Sequence, residues 1–372
     1  MTTIRLPGIG EYRCVGAEAL PVDSTPARSR VAFAAAHVVA DPHADSTSAV
    51  DWTATLRFRH HLWSLGLGIA DAMDTAQRGM GLSWANAREL ITRSGAEAKA
   101  VGGRLACGAG TDQLTGPASV AEVLAAYEEQ VALVEAAGAQ VILMASPALA
   151  AAAKGPEDYL AVYGKLLAQT REPVILHWLG PMFAPALSGY WGSADLDLAT
   201  DTLLELLRAN AAKVDGVKLS LLDADRERAL RAALPEGVRM YTGDDFNYAE
   251  LINEGSDALL GIFDPIAPIA AAALRALDDG DTARYEALFA PTVELSRLLF
   301  AEPTYHYKTG VVFLAWLTGH QDHFLMVGGQ QGARSVPHLA KVFVLADRAG
   351  LLTDPDLAAN RMRQLLSVAG LG

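Results

Sequence analysis

Lys218 is the residue whose surroundings most restrict what it can do. The run Val214-Asp-Gly-Val-Lys-Leu-Ser220 sets an ammonium in an apolar stretch, where poor solvation favours the neutral amine. A neutral lysine amine adds to a carbonyl to give an iminium, which withdraws electrons from the adjacent carbon. The competing reading is a cation at a strand end, paired with Asp244 or Asp245. His177 closes another apolar run, Pro173-Val-Ile-Leu-His, and its ordinary pKa near neutrality suits general acid/base work. A buried structural histidine is the alternative there. Asp74, Thr75, Gln77 and Arg78 follow a third run, Ser220 ends the lysine run, and Gly243-Asp244-Asp245 follows a further one. Hydroxyl, amide and carboxylate groups of this kind bind a polar substrate. Asp after Gly also caps helices, and Arg78 suits either an anion or a solvated loop.

These residues share a place in the pattern. Eight short apolar runs recur along the chain: Val31 to Ala36, Gly66 to Ala70, Gly103 to Cys107, Gln140 to Ala145, Pro173 to His177, Asp215 to Leu219, Val238 to Tyr241 and Ala258 to Phe263. Between them lie stretches with apolar residues three and four apart. Ser119 to Ala137 reads as a helix ended by Gly138 in the C-terminal cap position, and Gly95, Gly237 and Gly255 are read as stops of the same kind. Such alternation predicts parallel strands with helical crossovers, in a doubly wound sheet or a barrel. Eight strands is the number that closes a (β/α)8 barrel, in which chemistry gathers at the C-terminal strand ends. There the polar residues named above should converge on one cavity.

Three parts are expected: an N-terminal arm over residues 1–27, the α/β barrel over 28–281, and a helical extension over 282–372 packed on the barrel. Within the extension, Glu286 to Phe300 and Val336 to Gly350 read as amphipathic helices. Such helices pack on a barrel flank or at an oligomer interface, and the Gly-rich segment Val327 to Arg334 that joins them could cover the active site.

Composition removes several functions. Of 372 residues, 30 are basic and 43 acidic, a net charge of -13 without a Lys/Arg run, so no nucleic acid and no membrane partner is expected. Met1 to Arg13 lacks an apolar leader core, which predicts a cytoplasmic protein. Two cysteines, Cys14 and Cys107, make neither a disulfide framework nor a zinc site; Cys107 is read as a small strand-end residue.

The blocks around Lys218 resemble the dihydrodipicolinate synthase and N-acetylneuraminate lyase superfamily of class I aldolase-type barrels. Val214 to Ser220 is similar to its G-[IV]-K-x-S strand, and VRMYTGDDFNYAELINEGSDALLGIFDPIAP, from Val238 to Pro268, to its GDD turn, helix and Gly-rich eighth strand. Gly138 to Pro147 matches the fourth strand, Pro173-Val-Ile-Leu the start of the fifth, and Thr304 to Val312, with Lys308, the region after the barrel. The resemblance implies that Lys218 is the imine lysine of a lyase without a cofactor, in a homo-oligomer, dimer or tetramer, acting on a keto-acid or keto-sugar-like carbonyl compound.

Departures from that family are equally specific. Its fifth strand ends in Y-N-V-P with a proton-relaying tyrosine, where His177-Trp178-Leu179-Gly180 stands here. Ala148 and Leu149 replace the aromatics of its P-Y-Y segment, and its carboxylate-binding G-T-T-G-E-S loop appears as Met73-Asp-Thr-Ala-Gln-Arg-Gly79, keeping Thr75. The substrate should therefore differ, and Asp71, Asp74, Gln77, Asp244 and Asp245 suggest one bearing several hydroxyls. His177 is the candidate to replace the tyrosine. Two rival readings remain at this point. His37, His177, Asp74 and Asp244 have the ligand chemistry of a divalent-metal sugar isomerase or epimerase, and a barrel of this kind can bind carbonyl compounds or sugars without catalysis.

Overall fold

In the computed structural model, which describes residues 2–371, the chain opens with an antiparallel hairpin of β1 (Thr3–Leu6) and β2 (Gly10–Arg13). Eight parallel strands follow: β3 (Ala32–Ala35), β4 (Gly68–Asp71), β5 (Leu105–Ala109), β6 (Gln140–Leu143), β7 (Val174–Leu179), β8 (Val214–Ser220), β9 (Arg239–Thr242) and β10 (Asp257–Leu260). They close on themselves in chain order, with β10 pairing β3. All eight expected runs are strands, and the fold is a (β/α)8 barrel.

Helices α1 (Trp52–Ser64), α2 (Trp84–Val101), α3 (Val120–Ala136), α4 (Pro147–Ala152), α5 (Pro156–Gln169), α6 (Leu196–Asn210), α7 (Ala224–Ala233), α8 (Tyr248–Asn253) and α9 (Ala267–Asp278) follow the strands. The chain ends in α10 (Thr282–Leu299), α11 (Tyr307–Leu317), α12 (Val336–Arg348) and α13 (Pro355–Val368). Ser119 starts α3 with a reciprocal capping box to Glu122, which satisfies two otherwise open N–H groups. Gly95 was expected to stop a helix, but it lies inside α2. A Cβ there would sit 2.5 Å from Ala137 O at the end of α3, so the glycine permits a helix crossing, and Gly102 at φ +66° ends α2 instead.

Alternation along the strands separates inside from outside. Phe33, Ala35, Ala70, Ala106, Ile142, Ile175, Tyr241 and Leu259 stack within the barrel. Ile69, Cys107, Leu143, Leu176, Val217 and Leu260 belong to the shell between strands and helices. Cys107 is thus a fully buried packing residue, and burial raises its thiol well above the usual value. His177 lies two residues beyond Ile175 and Lys218 two beyond Gly216. A period of two therefore aims both into the barrel, near its C-terminal mouth.

The extension reaches that mouth. Every residue of α11 is buried, so its first turn, Tyr307 and Lys308, is carried inward with it. The N-terminal arm packs on the extension: Tyr12 Oη and the Val15 N–H each donate to Asp347 Oδ2 at 2.7 Å, with Ile4 and Leu6 buried beneath. Among the described residues no helix is long and apolar enough to cross a membrane.

Candidate active site at the barrel mouth

Lys218 sits between His177 on β7 and Tyr241 on β9 in register, and it is 7% exposed. A Cβ on Gly243 would lie 2.8 Å from Leu219 O and 2.9 Å from Lys218 Cε, so glycine is required for the lysine chain to pass. Burial lowers the ammonium from its ordinary value, while Asp74 and Asp245 oppose that loss. Neither carboxylate makes a direct ion pair with Lys218 among the described residues. Burial thus favours the neutral amine, and the two carboxylates favour the ammonium from a distance.

His177 Nε2 is 3.2 Å from Ser220 Oγ, and its buried Nδ1 has no partner among the described residues. Burial first, then the charge of Lys218, holds its pKa well below the usual value. Both effects favour the neutral ring over the imidazolium. Asp245 accepts from the Ile262 N–H at 2.8 Å through Oδ1, and burial pushes its carboxyl up to about 7 against the opposing pull of Lys218. It therefore exchanges protons near neutrality. Its neighbour Asp244 is occupied locally, accepting from the N–H groups of Phe246 and Asn247 at 2.9 and 3.0 Å and from Asn247 Nδ2 at 2.9 Å.

The loop after β4 divides in the same way. Asp74 faces an open cleft, and Thr75 Oγ1 shares a 2.8 Å hydrogen bond with Tyr307 Oη. Gln77 Nε2 donates to Val327 O at 2.8 Å and Met80 O at 3.2 Å, tying the Gly-rich segment 327–333 to this loop. Arg78 borders the cleft, but its guanidinium is taken up by Asp112, by Gln130 Oε1 and Gly108 O at 2.7 Å each, and by Ala72 O at 3.2 Å. Asp71 lies outside the cavity, paired with Arg59 at 2.8 Å with both side chains fully buried. His37 Nδ1 lies 2.8 Å from Asp264 Oδ2. Among the described residues, no three His, Cys, Asp or Glu side chains converge as a metal-ligand set.

Two residues of the mouth escaped the sequence reading as site candidates. Tyr307 stacks on Phe300 with ring centroids 4.2 Å apart, and burial, then Asp74, raises its hydroxyl well above the usual value. Lys308 lines the cleft at 4% exposure, its pKa lowered by burial and supported by Asp74. Its protein hydrogen bond among the described residues goes to Tyr305 O at 3.2 Å, which leaves donors free. The Thr304 to Val312 block was a signal for this region, but nothing in its spacing aimed it at the mouth. The cleft has a volume of about 680 Å³ and is bounded by the loops after β4, β5, β6 and β7 and by the start of α11.

Solved structures share this architecture. A dihydrodipicolinate synthase from Aquifex aeolicus superposes with a TM-score of 0.68 at 14% identity, covering 87% of this chain and 99% of that one. A prophage protein of the dihydrodipicolinic acid synthase family from E. coli K12, in complex with pyruvate, gives 0.67 at 14%, covering 87% and 99%. The chloride-inhibited dihydrodipicolinate synthase from Acinetobacter baumannii, complexed with pyruvate, gives 0.64 at 19%, covering 87% and 100%. No curated protein matches the sequence. Residues 5–371 match the model of a family described as "Protein of unknown function (DUF993)".

Proposed function

The chain belongs to that DUF993 family, and we propose that its members of this type are class I lyases in which Lys218 forms an imine with a keto-acid-type carbonyl compound. The observation that carries the reading is an inward-facing, buried Lys218 whose ammonium is destabilised by burial. Deprotonated Nζ adds to the carbonyl carbon, the resulting carbinolamine loses water, and an iminium remains. Loss of a proton or a carbon fragment from the next carbon leaves its electron pair in an enamine.

Each step needs proton transfers, and we assign three groups to them. Asp245, with its carboxyl near 7, protonates the departing water. Neutral His177 accepts the proton from the carbon adjacent to the iminium, while Ser220 Oγ, 3.2 Å from Nε2, orients the ring. Tyr307 Oη, hydrogen-bonded to Thr75, is the third proton carrier. Lys308 supports the acid's carboxylate with its free donors. Pyruvate is the first compound to test, since two structural neighbours hold it.

Proton exchange provides the assay. Wild-type protein should exchange the methyl protons of pyruvate for deuterium in heavy water, as followed by NMR, and Lys218→Met should not. Equal exchange by both proteins would sink the reading.

A further inference from the structure

The cleft at the barrel mouth, bordered by Asp74 and Lys308, has one polar end and an apolar remainder, and this asymmetry limits what can fill it. Asp74, Tyr305, His306, Lys308 and Gln330 mark the polar end. Beyond them the walls are Leu114, Ala148, Leu179, Phe183, Ala184 and Leu187, supplied by the loops after β5, β6 and β7. The polar side chains that the loops after β4 and β5 add beside these walls already have partners. Arg78 and Asp112 hold each other and Gln130, and the Thr111 and Ser146 hydroxyls share a 2.5 Å hydrogen bond. Of the five residues expected to bind hydroxyl groups, Asp71, Gln77 and Asp244 are tied to Arg59, Val327 and the start of α8 respectively.

A polyhydroxylated chain placed along these walls would exchange water for groups that offer it no hydrogen bonds. An aliphatic or aryl chain would gain from the same transfer. Resting on the reading of Lys218 as the imine lysine, we infer that the substrate is a 2-keto acid bearing an apolar substituent rather than a sugar-derived acid. A cleft of about 680 Å³ has room for such a group beyond the keto-acid head.

The test compares 2-oxohexanoate with its 4,5,6-trihydroxy counterpart, matched in chain length, with pyruvate as the shared head group. Each is incubated with the full-length protein and borohydride, and the fraction of Lys218 converted to the reduced adduct is followed against concentration by intact and peptide mass. The apolar acid should half-saturate at a concentration at least tenfold below that of the trihydroxy acid. Ala148→Asn and Ala184→Asn, at half-buried wall positions, should shrink that ratio to below threefold without moving the value for pyruvate. Trapping of pyruvate with no preference between the two longer acids, or a preference for the trihydroxy acid, overturns the substrate class while leaving the imine intact. Failure of all three compounds to label Lys218 overturns the imine and the substrate class with it.

Discussion

Tyr307 Oη and Thr75 Oγ1 lie 2.8 Å apart although 232 residues separate them in the chain. The first begins a helix of the C-terminal extension, and the second follows a barrel strand. Their contact brings a phenol to the mouth of a barrel whose fifth strand carries His177 where the superfamily it resembles carries a tyrosine.

Tyr307→Phe keeps the ring stack on Phe300 and removes only the hydroxyl. The proposed proton route predicts that hydrogen–deuterium exchange at pyruvate falls by about 10²-fold, while borohydride labelling of Lys218 persists. Unchanged exchange would assign Tyr307 to packing alone.

His177→Phe should have a similar split outcome. The imine still forms, because Lys218 supplies the nucleophile, yet exchange at the adjacent carbon slows by about 10²-fold. Equal losses of labelling and exchange would place His177 in support of Lys218 rather than in proton transfer.

Asp71 and Asp74 should behave as opposites despite lying three positions apart. Asp71→Asn leaves the buried Arg59 without its charge partner, at a cost of about 3–5 kcal/mol read from urea unfolding. Asp74→Asn, half-buried at the cleft, should cost less than about 1 kcal/mol. Asp74 raises the Lys218 pKa, so its removal frees the neutral amine at lower pH. The pH profile of borohydride labelling should move to lower pH in Asp74→Asn, and an unmoved or upward-shifted profile would contradict the proposed coupling.

Glu227 supplies a test of stability away from the site. It is 1% exposed, Oε1 accepts from Ser256 Oγ at 2.8 Å, Oε2 is unpartnered among the described residues, and burial lifts the carboxyl from 4.5 to about 7. Between those values the folded chain holds a proton that the unfolded chain has released, so stability falls as pH rises through the window. This group alone accounts for roughly 3 kcal/mol of that fall. Asp245, also raised to about 7, adds to it in the same direction. Glu227→Gln should flatten the dependence of urea-unfolding stability between about pH 5 and pH 8, and an unchanged slope would contradict the assignment.

Much of the fold was legible because each strand is a short apolar run between helical stretches, and a period of two carried Ile175 and Gly216 forward to His177 and Lys218. Polar residues were harder to place, since an aspartate's type does not reveal its partner. Asp71 found Arg59 and Asp244 found its own following turn, whereas Asp245, next in sequence, faces Lys218 at a distance. Tyr307 and Lys308 were hidden because a long-range packing arrangement, the burial of all of α11, delivers them. The Gly95 reading failed for a related reason: the constraint comes from Ala137 on another helix.

Whether Lys218 forms the imine is decided by peptide mapping after borohydride reduction with pyruvate. An imine at Lys218 predicts a single reduced adduct on the peptide containing Lys218, absent in Lys218→Arg and without an equivalent on Lys308. A folded wild-type protein that remains unlabelled, or one labelled on Lys308 instead, would contradict it.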